Sequence, residues 1–367
     1  MQKPLGMRLA PTNGHIILST LLFPVLLLIS LTGCGSGVSD RTEYAYVAVT
    51  EAGLRDRVAT IYNKTGVLHN GERVQVLEHM QSKRFARVRS PRGEEGWVQE
   101  RYLADQQTYD QFQRMAVQFK DAMAQSVATT EDQVKVHVLA GRKTGYLYLL
   151  NEKQKVDLLQ RQTVDRNAPA AQLKDEKQQK EADADSSDDD PPKAGENAGQ
   201  PAVREDWWLI RDAQKRVGWV LGRALYLDVP EDIAQYAEGQ RIVAVFPLDE
   251  VNDAGKKISQ YLVLLTENHE GLPYDFSQAR VYTWNTKRHR YETAYRERDL
   301  SGALPVSLGQ QTFEKEGSLR TFTLRLKDED GKVRQQVYKF NPPIVRKFFA
   351  PGEEPPKNRH KRATRPK

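Results

Sequence analysis

The sequence predicts a mainly β protein, in which two small β-barrels are joined by an amphipathic helix and followed by an antiparallel β-sheet or sandwich domain. Three observations predict this. Short runs of β-forming residues, separated by Gly, Pro and Asn turns, fill most of the chain. One frame of residues occurs twice, and a single helical stripe lies between its copies. With 367 residues, 39% of them hydrophobic, the chain has room for two or three domains.

The N-terminal segment has the layout of a secretory signal. Lys3 and Arg8 precede an apolar run over residues 16–31, which is shorter than a usual membrane-spanning helix. The run leads into "LTGC", which ends at Cys34, the single cysteine of the chain. This tetrapeptide resembles the lipobox of bacterial lipoproteins. The resemblance implies that residues 1–33 are a lipoprotein signal peptide and that Cys34 carries acyl chains, such as palmitate, that hold the protein on a membrane.

An alternative is that Cys34 is an incidental small residue near a spanning helix. Residues 34–42 begin with Gly and Ser and predict a flexible leash. No aspartate follows Cys34, so a known inner-membrane retention signal of such lipoproteins is absent. We therefore expect a membrane-anchored protein of the bacterial cell envelope that faces the periplasm, with the outer membrane favoured over the inner.

The first barrel is predicted over residues 43–104, where "YAYV", "RVQVLEH", "FARVRS" and "GWVQERYL" are strand-like. Its thin core is expected to contain Val74, Val76, Val88, Val98 and Leu103. A linking helix is predicted over residues 105–130. Its apolar stripe comprises Tyr109, Phe112, Ala116, Phe119, Met123 and Val127. The polar face is mixed rather than strongly basic, which favours packing on a neighbouring domain over insertion into a membrane.

The second barrel is predicted over residues 131–229, with a disordered acidic insert at about residues 163–203. The insert lacks aromatic residues and contains "DADSSDDD", which lacks the glycine turn and terminal glutamate of a calcium loop. A barrel can tolerate such an insertion because loop closure costs little more as the loop lengthens.

The repeated frame is an aromatic residue, an arginine four residues later, and Gly-Trp-Val that begins eleven residues after the aromatic. In the first copy the aromatic is Phe85 and in the second it is Trp207. Together with "NGERVQVLEH" and "GWVQERYL", the frame resembles the bacterial SH3 (SH3b) family, more completely in the first copy than in the second. The resemblance implies two SH3-like barrels and five candidate ligand-binding residues: Phe85, Tyr102, Trp207, Trp208 and Tyr226. It maps the tyrosine of the closing helical turn to Tyr102 in the first copy and to Tyr226 in the second, where "GWVLGRALYL" has two residues more than "GWVQERYL".

Folding alone explains part of the frame. Gly96 and Gly218 permit a bend or a close approach, and Trp97 and Trp219 are expected to cover barrel faces. Trp207 and Trp208 are adjacent in a strand and point to opposite faces, so one of them is expected to be exposed. The eukaryotic SH3 pattern has a proline after Gly-Trp-Val, which this chain lacks, so a polyproline ligand is not expected.

The C-terminal third, residues 230–342, contains six strand-like segments and predicts the antiparallel domain. A hairpin near residue 288 mixes basic and aromatic residues; we expect cross-strand pairing there rather than contact with nucleic acid. Residues 343–367 predict a disordered, proline-rich basic tail. This tail has eight Lys or Arg and two Glu. Its net charge is therefore +6, which equals the net charge of the whole chain.

The sequence shows no motif for catalysis, and its histidines lie far apart. We expect no cofactor, no metal and no enzymatic activity. The predicted function is a non-catalytic binding or scaffolding protein that contacts peptidoglycan or an envelope protein. The alternative is a glycan-modifying enzyme with its active site in the C-terminal domain, for which Asp275 and Glu292 would be the first carboxylates to test.

Overall fold

The computed structural model describes residues 42–168, 203–328 and 330–349. The signal peptide, Cys34, most of the leash, residues 169–202 of the insert and the tail from residue 350 lie outside these ranges. The described part of the chain is mainly β, as predicted, and its strands form four antiparallel sheets. No helix within it is long and apolar enough to cross a membrane.

The first sheet has seven strands in the order β3-β2-β6-β5-β4-β1-β7. Their bounds are β1 Glu43–Val47, β2 Glu51–Arg55, β3 Lys64–His69, β4 Arg73–Met80, β5 Phe85–Arg89, β6 Glu95–Gln99 and β7 Leu103–Asp105. The alternation of apolar residues places one set of side chains inside this sheet. The four predicted core valines are buried, and Leu103 packs against them partly buried.

The linking helix α1, Gln106–Gln118, is shorter than predicted. Asp105 caps its N-terminus by accepting a hydrogen bond from the backbone N–H of Thr108, 2.7 Å away. Of the predicted apolar stripe, Phe112 is buried and Tyr109 packs against the core. Met115, which the predicted stripe omitted, is also buried, whereas Met123 lies beyond the end of the helix and is 40% exposed. The predicted end at residue 130 is wrong. Residues 126–130 pair as a strand, and Val127 continued the helical spacing only by coincidence.

The second sheet also has seven strands, in the order β10-β9-β13-β12-β11-β8-β14. This is the order of the first sheet with every strand number raised by seven. The bounds are β8 Ser126–Thr130, β9 Val134–His137, β10 Tyr146–Leu150, β11 Lys155–Asp165, β12 Arg204–Arg211, β13 Val217–Leu221 and β14 Leu225–Leu227.

Two predicted boundaries of this region are wrong. The sheet begins at β8, before residue 131. Strand β11 continues past residue 163 because its last residues pair with β12, as far as Asp165 opposite Arg204. Strand β11 therefore extends to Asp165, inside the segment that we predicted to be disordered, and a hydrogen bond from the Arg166 N–H to the Val203 carbonyl oxygen lies just beyond the ladder.

The C-terminal region forms two four-stranded sheets, in the orders β15-β16-β17-β18 and β19-β20-β21-β22. A short helix α2, Glu231–Ala234, precedes them. The strands are β15 Arg241–Asp253, β16 Lys256–Thr266, β17 Gln278–Asn285, β18 Arg290–Glu297, β19 Gly302–Phe313, β20 Gly317–Lys327, β21 Val333–Asn341 and β22 Ile344–Phe348. The six predicted segments are all strands. Strand β22 lies inside the predicted tail, because Ile344 pairs with Asn341 and Phe348 with Val337.

The described residues bury two main cores. The smaller one belongs to the first sheet and includes Leu54, Leu68 and Val88. The larger one is continuous from α1 through the second sheet, where it includes Trp208, into the two C-terminal sheets, where it includes Leu324. It also takes in Tyr46, Ala48 and Ala104 at one edge of the first sheet. The second sheet and the C-terminal region are therefore packed as one body.

Candidate ligand-binding site

The first sheet has an open groove with a cavity of about 440 Å³ at one end. Its lining combines Glu51 and Arg55 of β2, Tyr62 of the β2–β3 loop, Gln99 of β6, and Tyr102 of the 3-10 helix that follows β6. Tyr62 is 42% exposed. The groove therefore presents two tyrosine rings beside a cation, a carboxylate and an amide.

Arg55 connects the aromatic residues of this groove. Its guanidinium carbon lies 4.1 Å from the centre of the Tyr62 ring and 5.3 Å from the centre of the Phe85 ring. Cation–π contacts at such distances hold the guanidinium over the ring faces. Phe85 is half-buried and Tyr102 is partly exposed. Both residues predicted for ligand binding on this sheet therefore lie at or beside the groove.

The second sheet places Trp207 where the first sheet has Phe85. Phe85 pairs with Gln99, and Trp207 pairs with Leu221 in the same relation to the Gly-Trp-Val segment. Trp207 is only 2% exposed. Its ring meets the His137 ring edge to face, with the centroids 5.1 Å apart.

The expected equivalence of Tyr226 and Tyr102 is wrong. The 3-10 helix of the second sheet is Gly222–Ala224, so Ala224 occupies the position of Tyr102. Tyr226 lies in β14 opposite Thr129, which is the position of Ala104 in the first sheet. The two extra residues that the sequence suggested for the second copy are not an insertion.

The prediction that Trp207 or Trp208 is exposed is also wrong. Trp208 is 9% exposed, so both tryptophans are buried. They do point to opposite faces, but β12 lies in the middle of its sheet, between β11 and β13. Each face is covered, the Trp207 side by residues such as His137 and the Trp208 side by β15.

A cavity of about 420 Å³ lies beside Trp207. Lys135, Arg142 and Lys143 line it, and no acidic residue of the described chain does. Trp207 Nε1 is buried and has no hydrogen-bond partner within residues 42–168, 203–328 and 330–349. The Lys135 ammonium lies 4.1 Å from the centre of the Tyr146 ring. This face is therefore more basic than the groove of the first sheet.

His137 lines the same cavity and is uncharged at neutral pH. Burial lowers the pKa of its imidazole to about 4, although a hydrogen bond to the backbone of Thr144 opposes the change. Its Nδ1 lies 3.2 Å from the Thr144 carbonyl oxygen and 3.0 Å from Thr144 Oγ1. His137 is not among the residues predicted from the sequence, although it stands in an alternating apolar strand.

The repeated arginines have different roles in the two sheets. Arg89 pairs with Glu95 at 2.6 Å on the exposed surface. Arg211 pairs with Asp157 at 2.9 Å, and its Nη1 donates to carbonyl oxygens of the segment that follows α1, those of residues 119, 120 and 122. Arg211 therefore holds the turn by which the chain leaves the helix.

The two carboxylates of the enzyme alternative have separate partners. Asp275 accepts hydrogen bonds from Arg161 Nη1 at 2.9 Å and from the backbone N–H of Leu304 at 2.7 Å. Glu292 accepts from Asn285 and Arg288. In the described part of the chain, no three His, Cys, Asp or Glu side chains form a group that could hold a metal ion.

Comparison with known families identifies one bacterial SH3 domain in this chain. The family's model matches residues 51–104, from the start of β2 into β7. The match therefore contains every residue named above for the groove of the first sheet. No curated protein matches the chain.

The solved structures that are similar to this chain include NlpC2 and NlpC1 from Trichomonas vaginalis. They are 8% and 9% identical to it. Each alignment covers 70% of this chain, and covers 97% of NlpC2 and 89% of NlpC1. The TM-score is 0.16 for both, which is too low for an argument about function.

Proposed function

We propose that this protein is a non-catalytic binding or scaffolding component of the bacterial cell envelope, and that the groove of its first sheet contacts peptidoglycan. One observation carries the proposal. The bacterial SH3 match covers residues 51–104, and the same residues form an open groove with two accessible tyrosines. The ligand class follows from the family, and the groove gives the contact surface.

The chemistry of the groove suits a ligand that has both sugar and peptide parts. The rings of Tyr62 and Tyr102 offer flat apolar surfaces on which a sugar face or a peptide group can stack. Glu51, Arg55 and Gln99 supply acceptors and donors at fixed positions beside them. A glycan strand cross-linked by peptides presents both kinds of surface.

The second sheet is, in this proposal, a second SH3-like domain. Its strand order repeats that of the first, and Trp207 replaces Phe85. Because its cavity is lined by Lys135, Arg142 and Lys143, the two domains are expected to prefer different parts of a ligand. Two weak sites on one chain raise the overall affinity when both are engaged.

The lipid anchor belongs to the same proposal. Acylation of Cys34 would hold the domains near the membrane and so raise their local concentration at the cell wall. An envelope protein is the other partner that these surfaces could serve. The groove variants below separate the two partners, because only peptidoglycan is offered in the experiment.

The test is retention of the purified chain, starting at residue 35, on insoluble peptidoglycan. We expect the wild-type chain to be retained and the double variant Tyr62→Ala/Tyr102→Ala to bind about five- to thirtyfold more weakly, as expected for losing two aromatic contacts. The matched control is Tyr44→Ala, a tyrosine of β1 that does not line the groove. Lack of retention of the wild-type chain, or equal retention of the double variant, would contradict the proposal.

A further inference from the structure

A third cavity, lined by arginines, lies where the second sheet meets β15. It has a volume of about 220 Å³. Strands β11 and β12 contribute Arg161 and Trp208, β15 contributes Arg241, and the segment after β13 contributes Arg223 and Tyr226. Tyr226 is 67% exposed. Two of the residues predicted for ligand binding therefore line this cavity rather than an SH3-like groove.

Three arginines line the cavity, and each contacts a buried carboxylate. Arg161 Nη2 lies 2.6 Å from Asp206 Oδ1, and Arg241 Nη2 lies 3.1 Å from Asp206 Oδ2. Arg223 contacts Glu205, the neighbour of Asp206 in β12. Burial would raise the pKa of Asp206, but the contact with Arg161 outweighs it and keeps this pKa below its usual range. Asp206 is therefore ionised and holds two guanidinium groups beside the cavity.

The surrounding cluster has more arginines than carboxylates. Glu205 also contacts Arg142 at 2.8 Å and Arg166 at 3.6 Å. The acidic members are Glu205, Asp206, Asp275 and Glu270, and burial raises the pKa of the last. Five arginines thus face four acidic groups in the cluster. The cavity lining itself has three of these arginines and one carboxylate, Asp206, so a further negative charge is favoured there.

Two donors of this cluster have no acceptor. Nε of Arg161 and Nε of Arg241 are buried without a hydrogen-bond partner in the described part of the chain. The side chain of Arg161 is only 3% exposed. Buried donors on charged groups are costly to leave unpaired. Both donors belong to guanidinium groups that line the cavity, so these side chains keep donor capacity that their present contacts do not use. A carboxylate in the cavity matches the geometry of guanidinium.

The rest of the cavity wall is apolar. Leu158, Leu225, Val243 and the Trp208 ring line it. Its volume is below the roughly 300–1,000 Å³ of sites for drug-sized ligands. The ligand should therefore be small, with a carboxylate at one end and a short aliphatic part.

We propose that this cavity binds a carboxylate on a short aliphatic group, either the carboxyl-terminal residue of a peptide or a free aliphatic acid. The carboxylate is held by the guanidinium groups that line the cavity, those of Arg161, Arg223 and Arg241, and Trp208 covers the aliphatic part. The site is separate from the groove of the first sheet. If this cavity bound no carboxylate, the proposed contact of the first sheet with peptidoglycan would still stand. If the first sheet bound no peptidoglycan, the proposed carboxylate site would still stand.

The test is an NMR titration of the chain, starting at residue 35, with N-acetyl-alanyl-alanine, with its carboxamide, and with butanoate. We expect at least one of the two acids to shift the backbone signals of Gly222, Arg223 and Tyr226, and to bind at least about tenfold more tightly than the carboxamide. Whichever acid binds more tightly identifies the source of the carboxylate.

Two arginine variants give a matched comparison. Arg223→Gln removes a lining guanidinium and should weaken binding of the acid about tenfold or more. Arg142→Gln removes a guanidinium from the same Glu205 but not from this cavity, so it should change the affinity less than about twofold. Both side chains are partly exposed, 47% and 40%, and thermal unfolding checks that each variant is folded.

Three results would overturn the proposal. One is equal affinity for the acids and the carboxamide, or no binding of either acid at millimolar concentration. Another is a similar loss of affinity in both variants, which would indicate a general charge effect. The third is a set of shifted signals that lies away from residues 222–226.

Discussion

His137 is a single residue whose burial links the stability of the second sheet to pH. Burial lowers the pKa of its imidazole to about 4, against a usual value of about 6.5. Between pH 4 and pH 6.5, His137 is therefore protonated in the unfolded chain but neutral in the folded chain. Its neutral form contributes full stability above pH 6.5, and this contribution is lost as pH falls from 6.5 towards 4.

We expect His137→Gln to flatten the pH dependence of unfolding. Since each pKa unit corresponds to about 1.4 kcal/mol, the wild type should lose about 3 kcal/mol more than the variant between pH 7 and pH 4. Denaturant unfolding at both pH values measures this. His69→Gln, at an exposed histidine, is the control and should behave like the wild type. The same pH dependence in all three proteins would contradict the prediction.

A second histidine makes the comparison with a variant necessary. His79 lies 2.9 Å from Glu100 and 3.1 Å from Glu43, and the hydrogen bond to Glu100 raises the pKa of its imidazole. Its contribution is present below its unfolded pKa and is lost as pH rises through the raised value. The two histidines therefore have opposite effects, and the pH profile of the wild type alone cannot separate them.

Trp207, Trp208 and Tyr226 show what local sequence patterns cannot predict. Alternation in a strand correctly placed Trp207 and Trp208 on opposite faces. It could not show that both faces are covered, because the cover comes from β9 and β15, which are distant in the chain. The position of Tyr226 failed for another reason. The "YL" at the end of "GWVLGRALYL" resembles the "YL" at the end of "GWVQERYL", but it lies two residues further along its copy.

At the scale of elements, α1 packs on the second sheet through a buried aromatic side chain, Phe112. Phe112 is 2% exposed and meets the Tyr148 ring edge to face, with the centroids 4.9 Å apart. It also faces Gly218, where an added Cβ would lie 2.7 Å from Phe112 Cε1 and 2.5 Å from Val136 Cγ1. The glycine of the repeated Gly-Trp-Val segment is thus required by the close approach of a helix and a strand, in agreement with the prediction.

We expect Phe112→Ala to lower the free energy of unfolding by about 3–5 kcal/mol, because a large buried side chain is replaced by a cavity. Val117→Ala on the same helix, at a side chain that is 77% exposed, should change it by less than about 0.5 kcal/mol. Denaturant unfolding measures both variants. A loss of less than about 1 kcal/mol for Phe112→Ala would show that α1 is not part of the core.

Elements were predictable where alternation was uninterrupted. The six C-terminal strands with continuous β-forming residues were all found. Strand β19 was missed because Pro305 and Gly309 interrupt it, and β22 because it follows two prolines. Strand β8 was read as helix because its apolar residues continued the spacing of α1. In each case, pairing with a neighbouring strand overrode the local signal.

At the scale of the whole molecule, sequence predicted the order of the parts but not how they share cores. Two barrels and a C-terminal region were expected as separate units. The second sheet and the C-terminal sheets instead bury one continuous core, in which Gln125 of the segment before β8 donates to the Val306 carbonyl oxygen and accepts from its N–H. Contacts between segments so far apart in the chain produce no hydrophobic periodicity in either segment, so the sequence pattern could not predict the shared core.

The first sheet is joined to this larger body at one edge, where Tyr46, Ala48 and Ala104 are buried in the larger core. The Tyr46 and Tyr109 rings stack with centroids 4.0 Å apart. Asn70 donates to the Leu147 carbonyl oxygen at 2.8 Å and accepts from the N–H of Leu149 at 3.3 Å. Separate cores with a small junction between them favour separate cooperative units.

We therefore expect two unfolding transitions, each sensitive to its own core. Leu54 belongs to the core of the first sheet and Leu324 to the larger core, and both have 0% exposure. Either leucine replaced by alanine should cost about 2–5 kcal/mol in its own unit. Leu54→Ala should lower one transition and leave the other in place, and Leu324→Ala should do the reverse. Scanning calorimetry of the chain from residue 35 onward resolves this, with amide hydrogen exchange to assign each transition. If both variants shift one common transition, the junction at Tyr46 and Asn70 couples the cores fully, and the first sheet does not move or bind as an independent module.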